Sequence, residues 1–331
     1  FLFNNPEMLI LFAAGNSGVD KNKDGKIDAN SVGTPGTAKN CLTVGASENV
    51  TKTGGIQVPI SKLKVAKENW SAEPIFSSYL SDNENGVAMF SSRGPTRDNR
   101  IKPDIVAPGT NILSNRSHVK DSSPLWGAYG DDYAWSGGTS MATPLTAGAA
   151  TIVRQVLKSK FNVSAPSGAL VKAVLMHTAT DMYPGQYGEG VPAQELTRRP
   201  NNDEGYGRVN MQTVSELGST TKLIDEKAGV SQGQKTSYSV QLSKPGKLLV
   251  NMVYADAPGS PTASKTLVNN IDLVVTGPDG KELSSKDATN NHEIVEISNA
   301  SAGSYKIEVH GVNVPMGKDG KQPFALVYSV Y

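Results

Sequence analysis

The hydrophobic pattern changes character at about Gly218, and this break constrains the fold more than any other feature of the chain. Before it, short apolar runs alternate with helical patterns: Leu9–Ala14, Cys41–Ala46, Val87–Phe90 and Ile105–Ala107. Such runs, bounded by Gly-rich turns, predict buried strands. After it come Thr236–Leu242, Lys247–Tyr254, Ile271–Thr276, Glu293–Ile297, Tyr305–Val312 and Phe324–Tyr328, rich in Val, Tyr and Ile. Turns such as Lys244-Pro245-Gly246 and Gly277-Pro278-Asp279-Gly280 separate several of them. Strands at that spacing, with no helical pattern among them, predict an antiparallel β-sandwich or jelly roll. The fold class is therefore α/β over residues 1–217, built on a parallel sheet, followed by a β-sandwich over residues 218–331.

Within the first part, Gly137-Gly138-Thr139-Ser140-Met141-Ala142-Thr143-Pro144 leads into a run of small residues, Ala147–Ala150. The glycines permit a sharp turn, Thr139 is suited to cap a helix, and Pro144 is expected in the first turn or so. The helix should run to about Lys160. Ser140 then sits near a helix N-terminus, beside free backbone N–H groups that favour developing negative charge. A second helix is expected from Pro166, with Leu170, Val171, Val174, Leu175 and Thr178 near one face and His177 on or beside it as a structural residue.

Taken in order, LFAAGNSG, SVGTPGTAKNCLTVGA, FSSRGP, KPDIVAPGT and GGTSMATP resemble the subtilisin-like serine proteases, the subtilases, over roughly residues 6 to 215. Within that family the chain looks closest to the bacillus-type alkaline proteases that carry a C-terminal β-barrel domain. The resemblance implies a serine endopeptidase acting on protein or peptide substrates, with Ser140 as nucleophile and the Asn16 side chain as an oxyanion-hole donor. It also implies that Ala13, Ala14, Gly15 and Gly33, with Gly138 and Thr139, line the substrate site. Family members place the catalytic Asp and His upstream of the Asn motif. None of His118, His177, His292 and His310 lies in a His-Gly-Thr segment. The expectation is thus an N-terminally truncated subtilase whose partner is an N-terminal segment carrying Asp and His. The rival is an inactive fragment serving as a calcium-stabilised structural or binding module.

Residues Asp20, Asn22 and Asp24 occupy positions 1, 3 and 5 of a loop with Gly25 at position 6 and Asp28 at position 9. That is the front of an EF-hand-type calcium loop, with the Lys26 carbonyl as a further ligand. Position 12 is Ser31 rather than a bidentate Glu. Asp256, Asn270, Asp272 and Asp279 offer a second, weaker calcium possibility among turn acids.

With 32 basic and 31 acidic side chains the net charge is +1, which gives no electrostatic case for nucleic acid or an anionic membrane. No apolar run is long enough to span a bilayer, and a secreted, extracellular protein is expected. The one cysteine, Cys41, reads as a small buried hydrophobe. Residues 48–85 and 111–133 read as insertions, the first with strand content at Gln57–Ile60, the second approaching Ser140.

Overall fold

The computed structural model describes residues 1–260 and 262–331. Strands β1 (Leu11–Ala13), β2 (Leu42–Ser47) and β3 (Ile105–Pro108) form a three-stranded sheet in the order β1-β2-β3. Both pairings are parallel, Leu11 opposite Leu42 and Val44 opposite Ile105. Between β2 and β3 lies only a short helix, α1 (Ala66–Asn69), with two 3-10 turns. A second, antiparallel three-stranded sheet is formed by β4 (Ile112–Asn115), β5 (Ala128–Tyr129) and β6 (Tyr133–Ser136), in the order β4-β6-β5.

Helix α2 (Thr139–Phe161) follows β6 directly and lies against β1, β2 and β3 through Ala142, Thr146, Ala149, Ala150 and Val153. Small residues on that face let the helix axis approach the sheet. Asn162, at φ 57°, turns the chain out of the helix, and its N–H reaches the Leu157 carbonyl, a left-handed C-cap. Helix α3 (Gly168–Thr178) starts at Ser167, whose side chain accepts from the Leu170 N–H. Pro166 therefore precedes the cap instead of opening the helix. Almost every residue of α3 is buried, because it is covered by α2 on one side and by later strands on the other. Helix α4 (Met211–Glu216) closes the first region.

From Thr221 onward the regular elements among the described residues are all strands: β7 (Thr221–Ser231), β8 (Lys235–Leu242), β9 (Gly246–Val253), β10 (Asn270–Thr276), β11 (Glu282–Ser285), β12 (His292–Ala300), β13 (Gly303–Asn313) and β14 (Lys321–Val330). They make two four-stranded antiparallel sheets, β11-β10-β13-β8 and β12-β9-β14-β7. Leu248, Val250 and Met252 from one sheet meet Leu273, Val275, Ile307 and Val309 from the other in a common core. The opposite face of β9 and β14 supplies Val253, Ala325 and Val327 to the core of the first region, next to α3.

Several expectations need correction. Gln57–Ile60 is not a strand: Pro59 supplies no donor for a ladder, and Ile60–Lys62 closes a 3-10 turn that buries Ile60. Val87–Phe90 makes only a single bridge, Val87 to Ser47, before the chain turns. Thr139 does not cap α2 with its side chain; Gly138 is the cap residue and Thr139 the first helical residue. Pro144 lies deeper than the first turn, so its missing N–H leaves the Ser140 carbonyl without a helical donor.

Candidate active site

The bend from β6 into α2 carries Ser140. Gly138 has φ 143°, a conformation that L side chains rarely adopt, and a Cβ there would press on the Asn16 amide at 3.2 Å. Asn16 lies just past the carboxyl end of β1. Its Oδ1 accepts from the Thr139 N–H at 2.9 Å and from the Thr139 hydroxyl at 3.0 Å. The cap of α2 is thus supplied from 123 residues away, by the side chain singled out as an oxyanion donor. Because the acceptor end of the amide is occupied, the Nδ2 end is turned outward. Among the described residues neither Asn16 Nδ2 nor the Ser140 N–H has an acceptor. Ser140 and Asn16 are both exposed.

Two donors without acceptors, beside an exposed hydroxyl at a helix N-terminus, are an arrangement that can stabilise an oxyanion. The residues singled out in the sequence gather here. Gly15 donates to Thr139 Oγ1 at 3.3 Å, and Gly33 donates to the Ala14 carbonyl at 2.9 Å. Gly36 packs on the Ala13 carbonyl. Sequence reasoning passed over Ser92, within the FSSRGP motif. Its Oγ accepts from the Ser17 N–H at 3.0 Å, and its N–H donates to the Gly15 carbonyl at 2.9 Å. Gly15, at φ 111°, leaves no room for a Cβ beside that hydroxyl. Ser92 therefore fixes the Gly15–Ser17 turn that aims Asn16.

Among the described residues no histidine hydrogen-bonds Ser140. His118 pairs with Asp132 at 3.0 Å on the exposed β4–β5 connection. His177 Nε2 meets Ser329 Oγ at 2.8 Å, and burial pushes its pKa down to about 3. His292 Nδ1 meets the Tyr206 hydroxyl at 2.7 Å, and burial, with Lys172 nearby, lowers its pKa to about 3 as well. His310 lies 3.7 Å from Glu308.

Cys41 is buried, and the structure adds a neighbour that the sequence did not suggest: Lys102 Nζ is 3.9 Å from its sulfur. Lys102 and Lys172 both grip the wholly buried Asp104, at 2.6 and 2.8 Å. Burial alone would raise the pKa of Asp104, but the two ammonium groups outweigh it and hold the carboxyl below the usual carboxylate range. The Asp104 carboxylate also accepts from the Thr43 N–H of β2, and His292 of β12 stands 3.7 Å away.

In the Asp20–Asp28 loop, Asp20 is buried and accepts from the Asp24 and Gly25 N–H groups at 3.1 and 3.0 Å. Among the described residues it has no basic partner. A buried carboxylate with no cation of its own, on a loop of oxygen donors, fits a hard cation. Asp24 turns one oxygen to the Lys26 N–H, and Asp28 turns one to the Lys21 N–H. Among the described residues no three His, Cys, Asp or Glu side chains converge as a preformed metal cluster.

The profile of the subtilase family matches residues 3–208, well over half of the chain. The protein belongs to the subtilase family. It is similar to the serine protease/ABC transporter B family protein tagB of Dictyostelium discoideum, with 27% identity over 99% of this chain and 22% of that protein. Pyrolysin of Pyrococcus furiosus is 30% identical over 70% of this chain and 14% of its own length. Serine protease AprX of Bacillus subtilis is 33% identical over 45% of this chain and 26% of its own. The chain thus spans about a quarter or less of each of these relatives. Among the described residues no helix is long and apolar enough to cross a membrane.

Proposed function

We propose that this chain carries the nucleophile and oxyanion hole of a subtilisin-like serine endopeptidase acting on proteins or peptides. The observation that carries the reading is the Asn16 amide, tied by its oxygen to Thr139 with its donor end free beside the Ser140 N–H. In this reading Ser140 Oγ attacks the peptide carbonyl, and its proton passes to an imidazole that an aspartate orients. The oxyanion is met by the Ser140 N–H and Asn16 Nδ2. Ala13, Ala14, Gly15 and Gly33 wall the pocket for the substrate side chain, with Gly138 and Thr139 at its floor.

Among the described residues none of the four histidines hydrogen-bonds Ser140, which supports a base supplied by another segment of the same protease. The edge position of β1 in a parallel sheet supports the same idea, since a further strand can pair there. The same observation favours the rival reading for this chain by itself, a structural or binding module without catalysis. We further assign residues 1–217 to a subtilase catalytic domain and 218–331 to a jelly-roll domain. Calcium would be held by Asp20, Asn22, Asp24, Asp28 and the Lys26 carbonyl, where it would supply the charge that Asp20 lacks. An extracellular setting, where weak oxygen sites fill with calcium, agrees with such a loop.

The test uses the full-length parent protease. An active-site phosphonate should label Ser140, and Ser140→Ala should abolish both labelling and peptide cleavage. Asn16→Ala should lower kcat by about 10²–10³, the loss known for removing one such donor in subtilisin itself. Undiminished cleavage in Ser140→Ala would overturn the reading.

A further inference from the structure

We propose that Trp126 is a specificity-determining residue that favours an apolar side chain on the substrate residue just after the cut bond. The proposal rests on the reading of Ser140 given above. The connection from β6 into α2 passes through Gly137 and Gly138, and these two face different neighbours. Gly138 faces Asn16, whereas a Cβ placed on Gly137 would fall inside the six-membered ring of Trp126. Asn16 and Trp126 therefore stand against successive residues of the segment that delivers Ser140. The walls Ala13, Ala14 and Gly15 belong to the Asn16 side, since β1 runs directly into them. A substrate with its residue before the cut bond against those walls carries the following residue across Ser140 towards Trp126.

Trp126 is held for such a role. Its N–H donates to the Trp135 carbonyl at 2.9 Å, and the Trp135 N–H donates to the Gly127 carbonyl at 2.8 Å. Its ring stands edge-to-face on Phe90, with centroids 6.4 Å apart and planes at 77°. Phe90 is buried, whereas Trp126 is only half-buried where it packs against the core. Tyr129 and Trp135 form a second edge-to-face pair, also at 6.4 Å, on the same small sheet. Leu113, Tyr129 and Tyr133 are exposed on the same small sheet. A ring braced by Phe90 and Gly137 offers contact area at little cost in side-chain entropy. The insertion at 111–133 thereby gains a role: it carries an aromatic platform to the leaving-group side of the site.

The experiment uses the full-length parent protease and two peptides that differ only in Leu or Gly immediately after the cut bond. The ratio of kcat/KM for Leu over Gly should fall about tenfold in Trp126→Ala, within the range a hydrophobic contact provides. Trp126→Phe, which preserves the packing on Phe90, should retain most of the ratio. An unchanged ratio in Trp126→Ala would overturn the proposal, even if both rates fell together. Equilibrium binding of the same peptides, measured by fluorescence anisotropy in a Ser140→Ala background, separates this idea from the reading of Ser140. If the parent cleaves neither peptide, that reading fails, and anisotropy alone decides on Trp126. Loss of the Leu preference on removing Trp126 supports its role, and equal preference with and without the ring refutes it.

Discussion

The region before Gly218 and the region after it solve the same problem of burying backbone in opposite ways. After Gly218 two antiparallel sheets pair most N–H and C=O groups in ladders, and the core between them is largely Val, Leu and Ile. Before it a three-stranded parallel sheet, a small antiparallel sheet and a few helices are the regular elements among the described residues, and most of the long connections have no ladder. Buried carboxylates take over there. Glu48 accepts from the Asp82 and Asn83 N–H groups, Asp104 from Thr43, Glu195 from Val87 and Gln186, and Glu204 from Met182. Arg93, Lys102 and Lys172 are buried with them. The lesson is that a loop-rich region leans on side-chain charge more heavily than a sandwich does, and its stability should depend on charge accordingly.

The largest expected effect is at Asp104. Asp104→Ala would leave Lys102 and Lys172 buried without their counter-charge and the Thr43 N–H without its acceptor. Removing one member of a buried ion cluster costs about 3–5 kcal/mol. Replacing all three together, with Lys102→Met and Lys172→Met added, should recover much of that loss, since well-packed apolar groups often match a buried ion cluster. Urea denaturation of the three proteins checks this. If Asp104→Ala loses less than the triple variant, the charge-for-ladder account of the first region is wrong.

The two regions also differed in how legible they were. Of the sandwich, the strands at β8, β9, β10, β12, β13 and β14 were readable from their Val, Ile and Tyr content, whereas β7 and β11 were not. Both are edge strands, and their sequences, TKLIDEKAGVS and ELSS, carry the charge and exposure that edges need. In the first region the chemistry was legible in local motifs, but its support was not. Nothing near Thr139 says that its cap comes from Asn16, and nothing near Asp104 points to Lys172, 68 residues on. Val87–Phe90 looked like a strand because its residues are buried. It is buried by loops, around the Arg93 guanidinium that takes the Val87 and Ala88 carbonyls. Periodicity reports which residues are buried and is silent on what covers them.

A smaller effect follows from the same carboxylates under changing pH. Burial raises Glu48 to about 8, Glu204 to about 8 and Glu195 to about 7. In the second region Glu293 is raised to about 9. Each is protonated in the folded state at a pH where the unfolded chain has already lost the proton. Their contribution is therefore complete below about 4.5 and is lost as pH rises through the folded values. His177 and His292, lowered to about 3, act in the other direction: the folded state is fully favoured above about 6.5 and loses ground as pH falls towards 3. Thermal stability should accordingly peak in mildly acidic solution and decline towards pH 9. Glu48→Gln should flatten the alkaline limb, because the amide has no proton to lose. A melting temperature that rises steadily from pH 5 to 9 would contradict the raised carboxylates.

The smallest expected effect concerns Asp20, buried in the first region with no basic partner among the described residues. Calcium held by Asp20, Asn22, Asp24, Asp28 and the Lys26 carbonyl would give this carboxylate the positive partner that Lys102 and Lys172 give Asp104. A ligand that binds only the folded state stabilises by RT ln(1 + [L]/Kd), about 1.4 kcal/mol at a tenfold excess over Kd. The melting temperature of the parent should therefore climb by a few degrees as calcium is added and fall back with chelator. Asp24→Ala removes a proposed ligand but leaves Asp20 and its contact to the Gly25 N–H, so the variant should melt normally in chelator and fail to respond to calcium. A magnesium titration serves as the control, since the smaller ion gives up its water reluctantly. If calcium raises the melting temperature of the parent and of Asp24→Ala equally, the loop is an Asx-rich turn whose buried Asp20 is satisfied by backbone N–H groups alone.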